Sequence, residues 1–109
     1  MKIENIPFQL INWDEVEVVE VPGLTGSAMS KIWELGNVRV RLVQYLPEYQ
    51  ANHWNHRGQV MLVLAGEVLV TLTDGRTSMV QAGETFVVAD NTEAHKIASG
   101  NGATVFIVD

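Results

Sequence analysis

The sequence predicts one all-β domain of the sandwich or barrel class, and three observations carry that prediction. Short apolar runs rich in β-branched residues recur along the chain, and turn signals separate them every several residues. No window of helical length holds apolar residues at i, i+3, i+4 and i+7. At 109 residues, 47% of them hydrophobic, the chain supports one core and is too apolar for disorder to be the default.

The elements follow in order. Residues 1–27 carry broken apolar pieces, Ile6 to Ile11 and Val16 to Val21, closed by Pro22-Gly23 and Gly26. They read as an extended arm on the barrel or on a partner subunit, with Asp14, Glu15, Glu17 and Glu20 on a solvated face. A strand over Ala28 to Leu35 stops at Gly36-Asn37, a dipeptide suited to a hairpin. Val38 to Tyr45 then alternates, with Val38, Val40 and Leu42 forming a buried side. The opposite side, Arg39, Arg41, Val43 and Tyr45, is either an exposed strand face or the lining of a cavity; in the second case Arg41 and Tyr45 are ligand contacts.

Pro47 ends that strand, and a loop leads to the apolar run Val60 to Ala65. Gly66-Glu67 reads as a turn into Val68 to Thr73, and Asp74-Gly75 is the strongest hairpin signal in the chain. Arg76 to Gln81 returns as the partner strand, and Ala82-Gly83 turns into Glu84 to Ala89. Strands over His95 to Ser99 and Ala103 to Val108 flank the Gly100-Asn101-Gly102 turn. Because Val60 to Ala65 is apolar at every position, both of its faces need cover. Each such side chain is worth about 1.5 to 3 kcal/mol when buried. The outer face therefore calls for the N-terminal arm or a second subunit, and a homodimer is expected.

Composition excludes several functions. Thirteen acidic against seven basic residues give a formal charge of −6 with no basic cluster, so neither nucleic acid nor an anionic membrane is an expected partner. The absence of cysteine removes disulfides, thiolate metal sites and a cysteine nucleophile. No run has the length of a signal peptide or a bilayer span, so a cytoplasmic location is expected.

The chemistry concentrates between Asn52 and Gly66, where polar groups run directly into the apolar strand. At a period of two, His53, Asn55, Gln59, Met61 and Val63 share a face, unless Arg57-Gly58 bends the chain. Elsewhere Ser78 and Ser99 show no triad spacing, and Glu67 and Asp74 read as solvated turn residues. Met61 and Met79 read as core fill. Trp33 and Trp54 either stack on a flat ligand or sit in the barrel wall or dimer interface.

With Gly66 and Gly83 as anchors, the chain resembles the cupins, small jelly-roll β-barrels of the double-stranded β-helix type. Counting back from Gly66, the glutamate position of the first cupin motif falls at Gln59, the HxH pair at His53 and Asn55, and the leading glycine at Pro47. The second motif begins at Gly83, has Ala89-Asp90-Asn91 in place of its turn, and ends at His95. More narrowly, Ile-Pro-Phe near the start, Gly36 to Arg41, Ala51 to Asn55, Val88 to Asn91 and Phe106 to Asp109 are similar to the single-domain DHCW-motif cupins. In those relatives an acidic residue, a cysteine and a second histidine stand where this chain has Asn52, Asn55 and Gln59.

The resemblance implies a site for a divalent iron, manganese, nickel or zinc ion, with His53, His95, His56 and Gln59 as candidate ligands. It also implies two functions. One is a non-catalytic or sensory module holding a small polar molecule in the barrel mouth at His53, Asn55, Gln59 and His95, with Arg41 and Tyr45 beside them. The other is a metal-dependent enzyme of dioxygenase or isomerase type. Carboxamides offer only neutral oxygens, so the substitutions at Asn55 and Gln59 weaken a metal site. No catalytic residue is assigned.

Overall fold

The computed structural model describes residues 2–109 and shows nine strands and one 3-10 turn, Trp13–Glu15. The strands are β1 (Val19–Pro22), β2 (Ser27–Leu35), β3 (Val38–Tyr45), β4 (Tyr49–Gln50), β5 (Gln59–Leu72), β6 (Thr77–Gln81), β7 (Thr85–Val88), β8 (His95–Ser99) and β9 (Ala103–Val108). All pair antiparallel. One sheet runs β1-β2-β3-β9-β5-β7, and the other runs β4-β8-β5-β6.

Strand β5 belongs to both sheets and closes one over the other. Its first half, Gln59 to Leu62, lies between β7 and β9; its second half, from Glu67, lies between β6 and β8. The predicted turn at Gly66-Glu67 is therefore a bend within one continuous strand. The β9 register slips between Val63 and Ala65, leaving Leu64 bulged and half exposed. Gly66 takes a φ of +74, and a side chain there would collide with the Gly102 carbonyl and lie 2.9 Å from Ala103 Cα. Glycine is required at this position because two backbones cross closely at the corner of the fold.

The core lies between the two sheets. Met61 and Val63 from the first half of β5 meet Val68 and Val70 from the second, with Val105 and Ile107 from β9 and Ile97 from β8. Each comes from the inward phase of a strand, as the period of two demands. On β3 the inward phase is Arg39, Arg41, Val43 and Tyr45, of which Val43 and Tyr45 join the core. The expected buried side is thus the outer one: Val40 and Leu42 are only partly covered, although Val38 is buried. Met79 is half exposed on β6 instead of filling the core, because its neighbour Val80 takes the inward position. Trp33 is also more than one-third exposed.

The N-terminal segment supplies part of the outer cover. β1 extends the sheet at the edge of β2, and the Trp13 ring stands edge-on to Phe106 at 6.4 Å. Lys31 Nζ donates to the Trp13 carbonyl at 2.8 Å, and Trp33 Nε1 donates to Gln9 Oε1 at 2.9 Å. No helix among the described residues is long and apolar enough to cross a membrane.

Candidate ligand-binding site

Cross-strand register assembles the site. Val40 pairs with Val108, and Val108 with Val60, so one step outward Arg39, Asp109 and Gln59 lie side by side on the inner face. Reciprocal backbone hydrogen bonds join Arg39 and Asp109 at 2.6 and 2.9 Å. The next row inward is Arg41, Ile107 and Met61. Polar side chains thus fill the end row and, at Arg41, one position of the next, which places them at the mouth.

A loop closes this mouth from the opposite side. Asn55 and His95 exchange backbone hydrogen bonds at 2.8 and 3.0 Å, fixing the loop to the start of β8. Asn55 Oδ1 accepts from Arg57 N at 2.9 Å, an Asx-type turn that commits this oxygen locally. Gly58 N donates to Asp90 Oδ1 at 2.6 Å, and a side chain at Gly58 would come within 2.7 Å of Asp90 N. The Arg57-Gly58 bend is therefore held by the loop after β7, and β5 begins at once with Gln59 facing inward.

The resulting cavity, about 290 Å³, is lined by Arg41, Tyr45, His53, Asn55, Gln59 and His95, together with Arg39, Tyr49, Lys96 and their neighbours. All six residues singled out as ligand contacts line this one cavity. His56 does not: it is exposed, and its carbonyl accepts from Asn91 N at 2.9 Å on the far side of the loop.

Residues that line the cavity carry buried polar atoms that have no partner. These are Gln59 Oε1, Arg41 Nε and both ring nitrogens of His95. Gln59 and His95 are 2% and 1% exposed. Each such group left without a partner costs about 1 to 3 kcal/mol. Burial lowers the His95 pKa, and the nearby Arg41 charge adds to this, against the opposing pull of the Glu93 backbone and Asp109. The imidazole is then neutral at neutral pH and offers one donor and one acceptor. Burial raises the Tyr45 pKa, so its phenol stays protonated; its ring packs 4.7 Å from that of Tyr49.

Two residues of the site were not singled out from the sequence. Arg39 donates twice to Asp109, Nε to Oδ1 at 2.8 Å and Nη2 to Oδ2 at 3.0 Å, and Arg41 Nη2 donates to Oδ2 at 2.8 Å. Burial opposes ionisation of Asp109, but the two guanidinium groups outweigh it and hold its pKa below the usual carboxylate value. The available signals were alternation on β3, which puts Arg39 in phase with Arg41, and alternation on β9, which continues Ala103, Val105 and Ile107 to Asp109.

The donor set does not suit a divalent cation. Among the described residues, no group of three or more His, Cys, Asp or Glu side chains is placed to hold one. His53 and His95 are the only imidazoles in the cavity, the Asn55 oxygen is taken, no carboxylate among the described residues lines it, and Asp109 is clamped by two guanidinium groups. His53 sits at the exposed rim with Nδ1 2.5 Å from Asn52 Oδ1. Of the expected ligand set, His53, His95 and Gln59 line the cavity, and His56 does not because the loop turns it outward.

No protein-family model and no curated protein matches the chain. Solved structures do. An RmlC-like cupin from Shewanella frigidimarina aligns with a TM-score of 0.74 at 16% identity, over 94% of this chain and 90% of that one. A protein described as a predicted oxalate decarboxylase, from Thermotoga maritima, gives 0.76 at 12%, over 92% and 96%. A polyketide cyclase from Streptomyces resistomycificus gives 0.74 at 18%, over 94% and 78%. At these identities the likeness is one of architecture, and with the two-sheet topology it establishes that the chain has the single-domain β-barrel fold of the cupins.

Proposed function

We propose that this protein binds a small polar molecule in the cavity between Arg41, Tyr45, His53, Asn55, Gln59 and His95, as a binding or sensory module. The observation that carries the reading is the set of unpartnered buried atoms on Gln59, Arg41 and His95, three residues that line one small cavity. A pocket with a few convergent polar groups on an apolar floor is the usual form of a small-molecule site. The donor set described above supplies no reason to prefer the metal-dependent enzyme.

The test is a thermal-shift screen with small acids, amides and sugars, run on the natural protein and on Gln59→Leu. An occupant present at about 100 times its Kd stabilises the folded state by about 2.7 kcal/mol. At least one class should raise the melting temperature of the natural protein. Gln59→Leu removes the buried amide with an apolar side chain of similar size, so it should fold normally and lose that response. A response unchanged in Gln59→Leu, or none from any class, refutes the reading.

We also propose that the protein is a homodimer. Phe8 and Leu10 on the N-terminal arm are 91% and 85% exposed, and Val87 and Leu64 lie uncovered on the outer phase of the β7 and β5 strands. A second copy of the same surface supplies apolar cover for each.

A further inference from the structure

We propose that the occupant of this cavity is a small hydroxycarboxylate carrying a single negative charge, its carboxylate at Arg41 and its hydroxyl at Gln59 and His95. The inference rests on the reading of the cavity as a ligand site and adds the chemical class.

Charge is the first argument. The Arg39 and Arg41 guanidinium groups clamp the fully buried Asp109 carboxylate, and the exposed Glu34 lies across the strand pair from Arg39. With Lys96, three cations line the cavity against these two carboxylates, neither of which lines it, so one positive charge is in excess. The other cation lining the cavity, Lys96, has its ammonium 4.5 Å from the centroid of the Trp54 ring and is held there. The whole chain carries a charge of −6, so an anion is drawn to this spot by local charge and not by the field of the molecule.

Hydrogen-bond supply is the second. Arg39 spends Nε and Nη2 on Asp109, whereas Arg41 spends only Nη2 and leaves Nε buried without a partner. A free guanidinium N–H beside uncompensated positive charge is a carboxylate site. Gln59 Oε1 is also buried and unpartnered, and an acceptor of this kind needs a donor, which a carboxylate lacks. A neutral His95 has both a donor and an acceptor to offer, which matches a hydroxyl. A zwitterionic amino acid fits less well, since its ammonium would bring back the positive charge that its carboxylate compensates.

Size is the third. A cavity of about 290 Å³ sits at the small end of ligand sites, which favours an acid of a few carbons.

The probes are lactate, its neutral analogue lactamide, and inorganic phosphate, titrated into the isotope-labelled full-length protein with amide and side-chain NMR as readout. Lactate should move the Gln59, Asn55 and His95 signals saturably and bind roughly 10- to 100-fold more tightly than lactamide, the worth of one charge-assisted hydrogen bond. Arg41→Gln should bring the two probes within about threefold of each other. Lactamide binding as tightly as lactate overturns the charge argument but leaves the cavity as a ligand site. Phosphate binding as tightly as lactate overturns the carboxylate class. Shifts confined to residues outside the cavity overturn both the proposal and the reading it rests on. The lactate-to-lactamide comparison needs no variant, so it decides the matter even if Arg41→Gln folds poorly.

Discussion

Asp109→Asn isolates the interaction on which the mouth of the barrel depends. The carboxylate receives three charge-assisted hydrogen bonds, at 2.8, 3.0 and 2.8 Å, and its own side chain is wholly buried. The guanidinium groups it serves are 26% and 19% exposed. Breaking a fully buried pair by removing one partner costs about 3 to 5 kcal/mol. Partial solvation of both arginines reduces that figure to about 2 to 4 kcal/mol, against a total near 5 to 15 kcal/mol for a domain of this size. The melting temperature should fall by roughly 8 to 16 °C, measured by urea and thermal unfolding at neutral pH.

The pH dependence has a definite sign. The folded-state pKa of Asp109 lies below its unfolded value of about 3.8, so its contribution is fully present above that pH. It is lost as pH falls through the depressed folded value, and Asp109→Asn should remove that part of the acid-induced loss of stability. A change below about 0.5 kcal/mol, with an unaltered acid limb, would show that the clamp does not hold the mouth together.

The other predictions concern the corner and the surface. Gly66→Ala should destabilise by about 3 kcal/mol or more, since it adds a clash with the 102–103 backbone to an unfavourable positive φ; urea unfolding within 1 kcal/mol of the natural protein would refute the close crossing. Sedimentation equilibrium should give twice the 12.1 kDa chain mass, and Phe8→Ser with Leu10→Ser should shift the population toward monomer. A monomer at all concentrations refutes the homodimer.

What the sequence determined by itself was local. Alternation set the strand Val38–Tyr45, the Gly100-Asn101-Gly102 turn opened Ala103–Val108, and Asp74-Gly75 placed a hairpin, because side-chain direction and turn geometry depend on neighbours along the chain. The six residues read as ligand contacts, His53, Asn55, Gln59, His95, Arg41 and Tyr45, line one cavity.

Only the tertiary structure decided which side of β3 faces inward. Alternation defines two sides, but the core is chosen by β9 and β5, which bring Asp109 beside Arg39 and Ile107 beside Arg41. The same pairing gathered Arg39 and Arg41, whose side of the strand the sequence left open between surface and cavity, into one cluster around Asp109. Gly66 had the composition of a turn, yet the crossing with Gly102 made it a bend inside one strand shared by both sheets. His56 pointed away because Gly58 is tied to Asp90, a contact 32 residues apart in sequence. Register and loop anchoring join distant parts of the chain, and neither is written in the spacing of near neighbours.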